Sequence, residues 1–219
     1  KISVNIDVIG FSDEEILEYL DSNPDTLGLE ECLYGATLVE KDLDKMLKFN
    51  ELAAQKAPNC IRAHNNVGCT YMVMEKVPEA KAAFMKAKEI KDIDLVKNNL
   101  GYVALLEGDL EAAKTLFTSL EKPTDESNYG LGIISITEGK YQEAVTYMCT
   151  DPSFNLALAK LLNGDNPGAK STIDAVDMDH EWIYYMRALV GARMQDDDYM
   201  FNNLRSSVGK NAEMKELAK

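Results

Sequence analysis

The chain lacks most of the features that carry chemistry. Among its 219 residues there is one Trp, two His and four Cys. No P-loop, GxSxG, HExxH or Gly-rich strand-to-helix loop occurs, which leaves phosphate cradling, serine hydrolysis and zinc proteolysis without their usual supports. The cysteines Cys32, Cys60, Cys69 and Cys149 form no close CxxC pair, so neither a structural zinc site nor a dithiol couple is expected. They read as small, half-buried thiols. No apolar run approaches the roughly 20 residues needed to span a bilayer, so direct membrane insertion of these residues is not expected. Basic charge is also scarce: 37 acidic against 23 basic side chains leave a formal net charge of −14. Nucleic-acid binders need a Lys/Arg footprint to displace counterions. Nucleic acid and anionic membrane surfaces are therefore poor partners.

The sequence is rich in repetition. "NNVGCTYMVMEKVPEAKAAF" at 65–84 returns as "NNLGYVALLEGDLEAAKTLF" at 98–117. In each copy the first half carries apolar or small residues at helical spacing, Val67, Gly68, Tyr71 and Met72 and then Leu100, Gly101, Ala104 and Leu105. A short turn follows. The second half sets Ala80, Phe84 and Ala87, or Ala113, Phe117 and Leu120, on one face. Pro78 is tolerated at a helix start, where its missing N–H has no partner. The unit is a helix, a tight turn and an antiparallel helix. Gly68 and Ala80 allow close approach, and Phe84 fills the space. One hairpin cannot bury its own apolar faces but a stack can, which predicts an all-α solenoid of about five to six hairpins.

Weaker copies extend the pattern to 129–148 (Leu131, Gly132, Ala144, Met148) and 155–173 (Leu156, Ala157, Ala169, Ile173). Upstream, 29–58 supplies Gly35, Met46, Ala53 and Pro58; downstream, 180–208 makes a last hairpin around Ala188 and Leu204. The turns "EGD", "EGK" and "NGD" recur, with glycine suited to the left-handed conformation that ends a helix. "DDD" at 196–198 reads as a solvated helix start, because adjacent carboxylates diverge. Cys60, Arg62 and His64 lie close together without an acidic orienting partner, so a nucleophilic role is not expected.

Residues 1–27 stand apart. "KISVNIDV" alternates Ile2, Val4, Ile6 and Val8 with polar residues, which predicts a short N-terminal β-strand. Ser12 and Glu15 then form a capping box before Ile16, Leu17 and Leu20. The expected division is a strand–helix extension at 1–27, the tail of an upstream domain, and hairpins over 28–219.

The residues Val67, Gly68, Tyr71, Ala80 and Phe84, and less fully Leu100, Gly101, Ala113 and Phe117, resemble the tetratricopeptide repeat pattern W-x2-L-G-x2-Y…A-x3-F…P. His64 and Lys97 occupy the Trp slot, Ala104 and Ser135 replace the Tyr, and the spacing between the third and fourth copies is several residues short. The order of segments also resembles Bacteroidetes cell-envelope proteins in which such an array follows an OmpA-like domain. The resemblance implies a right-handed solenoid, no cofactor, no metal, no enzymatic activity, and a periplasmic or surface location associated with the outer membrane. It further implies a protein or peptide partner in a concave groove lined by Arg62, Asn65, Cys69, Asn98, Tyr102, Leu105, Tyr129 and Ile133. Asn amides can bond a peptide backbone, and Tyr rings add flat apolar area. The carboxylate clamp of chaperone-binding members is not implied, since only Arg62 and Lys97 are basic near that surface and Cys69 and Tyr102 stand where Asn is expected. An enzyme using the array as a substrate platform, a structural spacer, and a weak homo-oligomer formed through the convex face or the N-terminal strand remain open readings.

Overall fold

Side chains cap the helices where the sequence places short polar residues. In the computed structural model, which describes residues 10–148 and 151–217, Ser12 and Glu15 form the expected capping box at the start of α1 (Asp13–Ser22). After a 3-10 turn at Pro24–Thr26, the next helices are α2 (Leu29–Leu38), α3 (Leu43–Lys56), α4 (Ile61–Val73) and α5 (Val77–Ile90). Helices α6 (Asp94–Leu106) and α7 (Leu110–Thr118) follow. They belong to one compact unit, 1–121. A second unit, 122–219, holds α8 (Asp125–Thr137), α9 (Tyr141–Tyr147), α10 (Phe154–Leu162) and α11 (Asn166–Asp174). It ends with α12 (Glu181–Met194), α13 (Asp197–Lys210) and the short α14 (Met214–Leu217). The described residues contain no strand. The strand expected at 1–8, and Cys149, lie outside the described residues.

Each unit is built from antiparallel pairs: α2 with α3, α4 with α5 and α6 with α7 in the first, and α8 with α9, α10 with α11 and α12 with α13 in the second. Asp42, Asp109, Asp165 and Asp196 each accept a bond from an N–H in the first turn of the helix they precede. Asp196 thus uses part of the "DDD" run as a cap. Gly108, Gly139 and Gly164 close the recurring turns at φ of +78°, +75° and +85°, where a side chain would strain the backbone. Where the turn lacks glycine, Glu75 and Gln195 take the left-handed conformation instead.

The core follows from one device used four times. Gly35, Gly68, Gly101 and Gly132 lie on the first helix of their pairs. An added Cβ would come within 2.5–2.6 Å of the Phe49, Phe84, Phe117 and Met148 side chains respectively. The large residue, on the second helix or for Met148 at its C-terminal cap, lies over the bare backbone of the first, and all four are at most 2% exposed. Helix α1 joins the core of the first unit: Ile16, Leu20 and Leu27 pack in one cluster with Cys32, Leu33 and Phe49. The helical part of the expected extension at 1–27 therefore shares the apolar core of the first pair.

Candidate binding face

Burying one stripe of each helix against its neighbours leaves the opposite stripe of the first helices open. In the first unit, α2, α4 and α6 are linked side by side by polar bonds. The Arg62 guanidinium donates to Glu30, and the Asn99 amide donates to Asn65 Oδ1 at 2.8 Å. Asn65, only 6% exposed, in turn donates to the Cys69 sulfur at 3.6 Å. Burial pushes the Cys69 thiol up from its ordinary value, more than the Asn65 bond lowers it, so it is the neutral thiol near neutral pH.

Most of the expected groove residues are in surface or half-buried positions. Arg62 and Cys69 are exposed, Asn98, Tyr102, Leu105, Tyr129 and Ile133 are half-buried, and Asn65 is buried. Several are already engaged. Tyr102 stands edge-on to Phe117, with ring centroids 5.3 Å apart. In the second unit, the Tyr129 hydroxyl accepts from the Asn155 amide at 2.9 Å. Asn98 keeps a buried Oδ1 with no partner. Asn65 and Asn99 brace neighbouring helices, a role for which a hydrogen-bonded buried amide is well suited.

Sequence reasoning passed over the most exposed apolar members of these helices. Val73 at the end of α4 is 65% exposed, and Leu106 at the end of α6 is 62% exposed. They are one repeat length apart, so carrying the helical period into the last turn would have found them. Leu95, in the first turn of α6, is also exposed. In the second unit, neighbouring helices α10 and α12 present a similar stripe. On α12 it consists of Trp182, Tyr185 and Leu189, at spacings of three and four. Trp182 is 44% exposed and meets Tyr185 edge-on at 5.9 Å. On α10, Leu162 is exposed one turn beyond half-buried Leu158. Trp182 is the lone tryptophan of the chain, and it opens a contiguous apolar stripe on α12 rather than standing alone, which is the arrangement that marks interaction surfaces.

Two surface pockets flank α4. One, of about 510 Å³, lies among α3, α4 and α5 and is lined by Glu51, His64, Tyr71 and Glu79. There the Tyr71 hydroxyl donates to Glu51 at 2.9 Å, and this bond raises the Tyr71 pKa. The other, of about 220 Å³, lies among α2, α3 and α4 with Cys69 and Val73 on its wall, and so opens beside the exposed stripe of α4. His64 bonds the Pro58 carbonyl at 2.8 Å; it is not paired with Cys60 in a nucleophilic arrangement. Among the described residues, no cluster of three or more His, Cys, Asp or Glu side chains could hold a metal ion. No helix among them is long and apolar enough to cross a membrane.

Comparison with known proteins agrees with the fold of paired helices. Residues 61–94, which span α4, α5 and the start of α6, match the tetratricopeptide repeat family model. No curated protein sequence matches the chain. Among solved structures, the fold is similar to a chain of the APC/C hetero-tetramer Cut9–Hcn1, with a TM-score of 0.79 and 13% identity. That match covers 91% of this chain and 44% of the other, so the chain spans less than half of that protein's length. A tetratricopeptide repeat protein from Parabacteroides merdae is similar with a TM-score of 0.71 and 14% identity, over 94% of this chain and 89% of that one. PilW, a type IV pilus biogenesis factor, has a TM-score of 0.72 and 16% identity, over 87% and 98%. The chain thus carries a tetratricopeptide repeat at 61–94 and has the all-helical fold of solved tetratricopeptide repeat structures.

Proposed function

We propose that the chain is a non-enzymatic docking scaffold whose first helices bind an extended or helical segment of a protein partner, within a bacterial cell envelope. One observation carries the reading. Apolar side chains stand exposed at helical spacing on the open face of the first helices, Val73, Leu95 and Leu106 in one unit and Leu162, Trp182 and Leu189 in the other. Partner segments recognised by helical arrays use such anchors, with aromatic residues as hot spots. Arg62, Asn65, Cys69, Asn98, Tyr102 and Leu105 lie on α4 and α6 in the first unit and supply the polar and half-buried remainder of its face, while Tyr129 and Ile133 lie on α8, a first helix of the second unit. The envelope location rests on the resemblance of the segment order to Bacteroidetes envelope proteins.

The test uses peptides selected from a random displayed library against the immobilised protein, with affinities read by fluorescence polarisation. Val73→Asp with Leu106→Asp, or Trp182→Ala with Leu189→Asp, should abolish binding of the peptides selected on that unit. Phe201→Ser removes an exposed ring from the second helix of a pair and should leave binding intact. Peptides that bind all the face variants as well as the parent would refute docking on the first helices. That result would return the chain to the spacer or self-association readings.

A further inference from the structure

The pocket among α2, α3 and α4 carries a ligand assignment that the docking reading does not supply. It holds about 220 Å³ and is walled by Leu33, Met46 and Val73, with Glu40 and Asn50 also lining it. Asn50 is 3% exposed. Its Nδ2 donates to the Thr70 hydroxyl at 3.1 Å, while that hydroxyl donates to the Asn66 carbonyl at 2.9 Å. With the Thr70 proton already used, Asn50 must turn its NH2 toward Thr70, which leaves Oδ1 buried with no partner. A buried acceptor left unpaired carries a desolvation penalty, and a small rotation of the amide that brings Oδ1 to the pocket wall would let an arriving donor relieve it.

The remaining features narrow the donor. The three apolar side chains suit a methylene stem. The exposed Glu40 carboxylate makes no ion pair among the described residues and adds negative charge to the lining. An anionic ligand would meet repulsion there and would bring nothing to Asn50. The Cys69 thiol on the same wall is uncharged, which leaves Glu40 as the charged side chain of the lining. Among natural side chains, an apolar stem, several N–H donors and positive charge occur together in Lys and Arg. A guanidinium is the less hydrated of the two and can donate to two acceptors at once in a fixed plane. The net charge of −14 draws basic segments toward the chain in the same sense.

We infer that this pocket is a subsite for an arginine side chain of a partner peptide, its stem against Leu33, Met46 and Val73 and its guanidinium shared between Asn50 Oδ1 and the Glu40 carboxylate. The inference rests on the docking reading for its source of arginine, but the pocket can be tested without any peptide. The probe is N-acetyl-arginine amide, titrated into the full ¹⁵N-labelled chain and followed by two-dimensional NMR. Citrulline, norleucine and lysine derivatives of the same form run in parallel.

Arginine amide should give saturable shifts at the Asn50 side-chain NH2 and at the Thr70 and Val73 backbone amides. The citrulline derivative, which keeps the shape and loses the charge, should bind several-fold more weakly, and norleucine should give no saturable response. Glu40→Gln alters an exposed side chain and should weaken arginine binding by up to about 5-fold, as for an exposed ion pair. Asn50→Leu should remove the arginine response while the rest of the spectrum keeps its dispersion. No saturable shift at these positions, or an equal response to norleucine, would overturn the assignment. An equal response to lysine would overturn the guanidinium choice. Library peptides that bind the open face without any basic residue, beside a silent arginine titration, would refute this inference and leave the docking reading standing.

Discussion

Replacing Gly68 with alanine should destabilise the protein, although alanine is the better helix former. In a solvated helix interior the exchange would gain roughly 1 kcal/mol. Here the new Cβ would lie 2.5 Å from Phe84 Cε1, with Cδ1 and Cζ at 2.6 and 2.8 Å. Phe84 cannot swing away cheaply. It is 1% exposed and packed among Ala80, Ala87, Val96, Leu100 and Val103. Forcing an extra carbon into such a core typically costs about 1–3 kcal/mol, so the net loss should be about 1 kcal/mol. Urea denaturation followed by circular dichroism reads this as a lower midpoint at unchanged slope. Gly101→Ala should behave alike, because Phe117 lies 2.6 Å from its Cβ position. Gly132→Ala should cost less, since it meets Met148, whose unbranched thioether chain can re-rotate. In the double variant Gly68→Ala, Phe84→Leu, the two effects should be less than additive by at least about 0.5 kcal/mol, as expected of residues in contact. Stabilisation by Gly68→Ala would refute the packing argument outright.

Two further outcomes follow from the chemistry of individual side chains. Burial tends to raise the Asp174 pKa, but hydrogen bonds from Lys170 and Tyr199 and the charges of Lys170 and Arg187 outweigh it, holding the carboxyl below its ordinary value. A depressed folded-state pKa means stability that is present above the unfolded value and lost as pH falls through the folded one. Asp174→Asn should therefore lower the thermal midpoint near neutral pH, with the difference shrinking once pH falls well below about 3.9, the ordinary Asp value; a constant difference would count against the linkage. Burial pushes the Cys32 thiol up to about 11, more than the charge of Lys56 lowers it. Peptide mapping after brief alkylation near neutral pH should find Cys32 unmodified in the folded chain and modified in urea. Rapid labelling under native conditions would contradict its place in the first core.

Much of this architecture is legible in residue spacing. Glycine on a first helix and Phe or Met about sixteen residues later describe a contact within one hairpin, and local periodicity reports it because both residues belong to the same repeat. The Ser12–Glu15 box and the recurring turn glycines are equally local. The open face is harder to read. Asn65 and Asn98 occupy equivalent places in the repeat, yet Asn65 is buried against Asn99 while Asn98 is half-buried. What a residue on that face does depends on the neighbouring helix it meets, which the repeat pattern does not encode.

The sequence by itself determined the all-helical class, the pairing of consecutive helices, the turn positions and the exclusion of familiar catalytic motifs. Each of these depends on residues a few positions apart, where helix geometry relates sequence distance directly to space. The tertiary structure alone decided which apolar side chains remain in water, Val73, Leu106, Trp182 and Leu189 among them, since exposure is set by what neighbouring helices fail to cover. It also decided the pocket over Asn50, whose Leu33, Asn50 and Thr70 come from three separate helices. The unpaired oxygen there exists because Asn50 of α3 meets Thr70 of α4, whose proton already goes to the Asn66 carbonyl one turn back, and only the packing of the two helices makes that meeting.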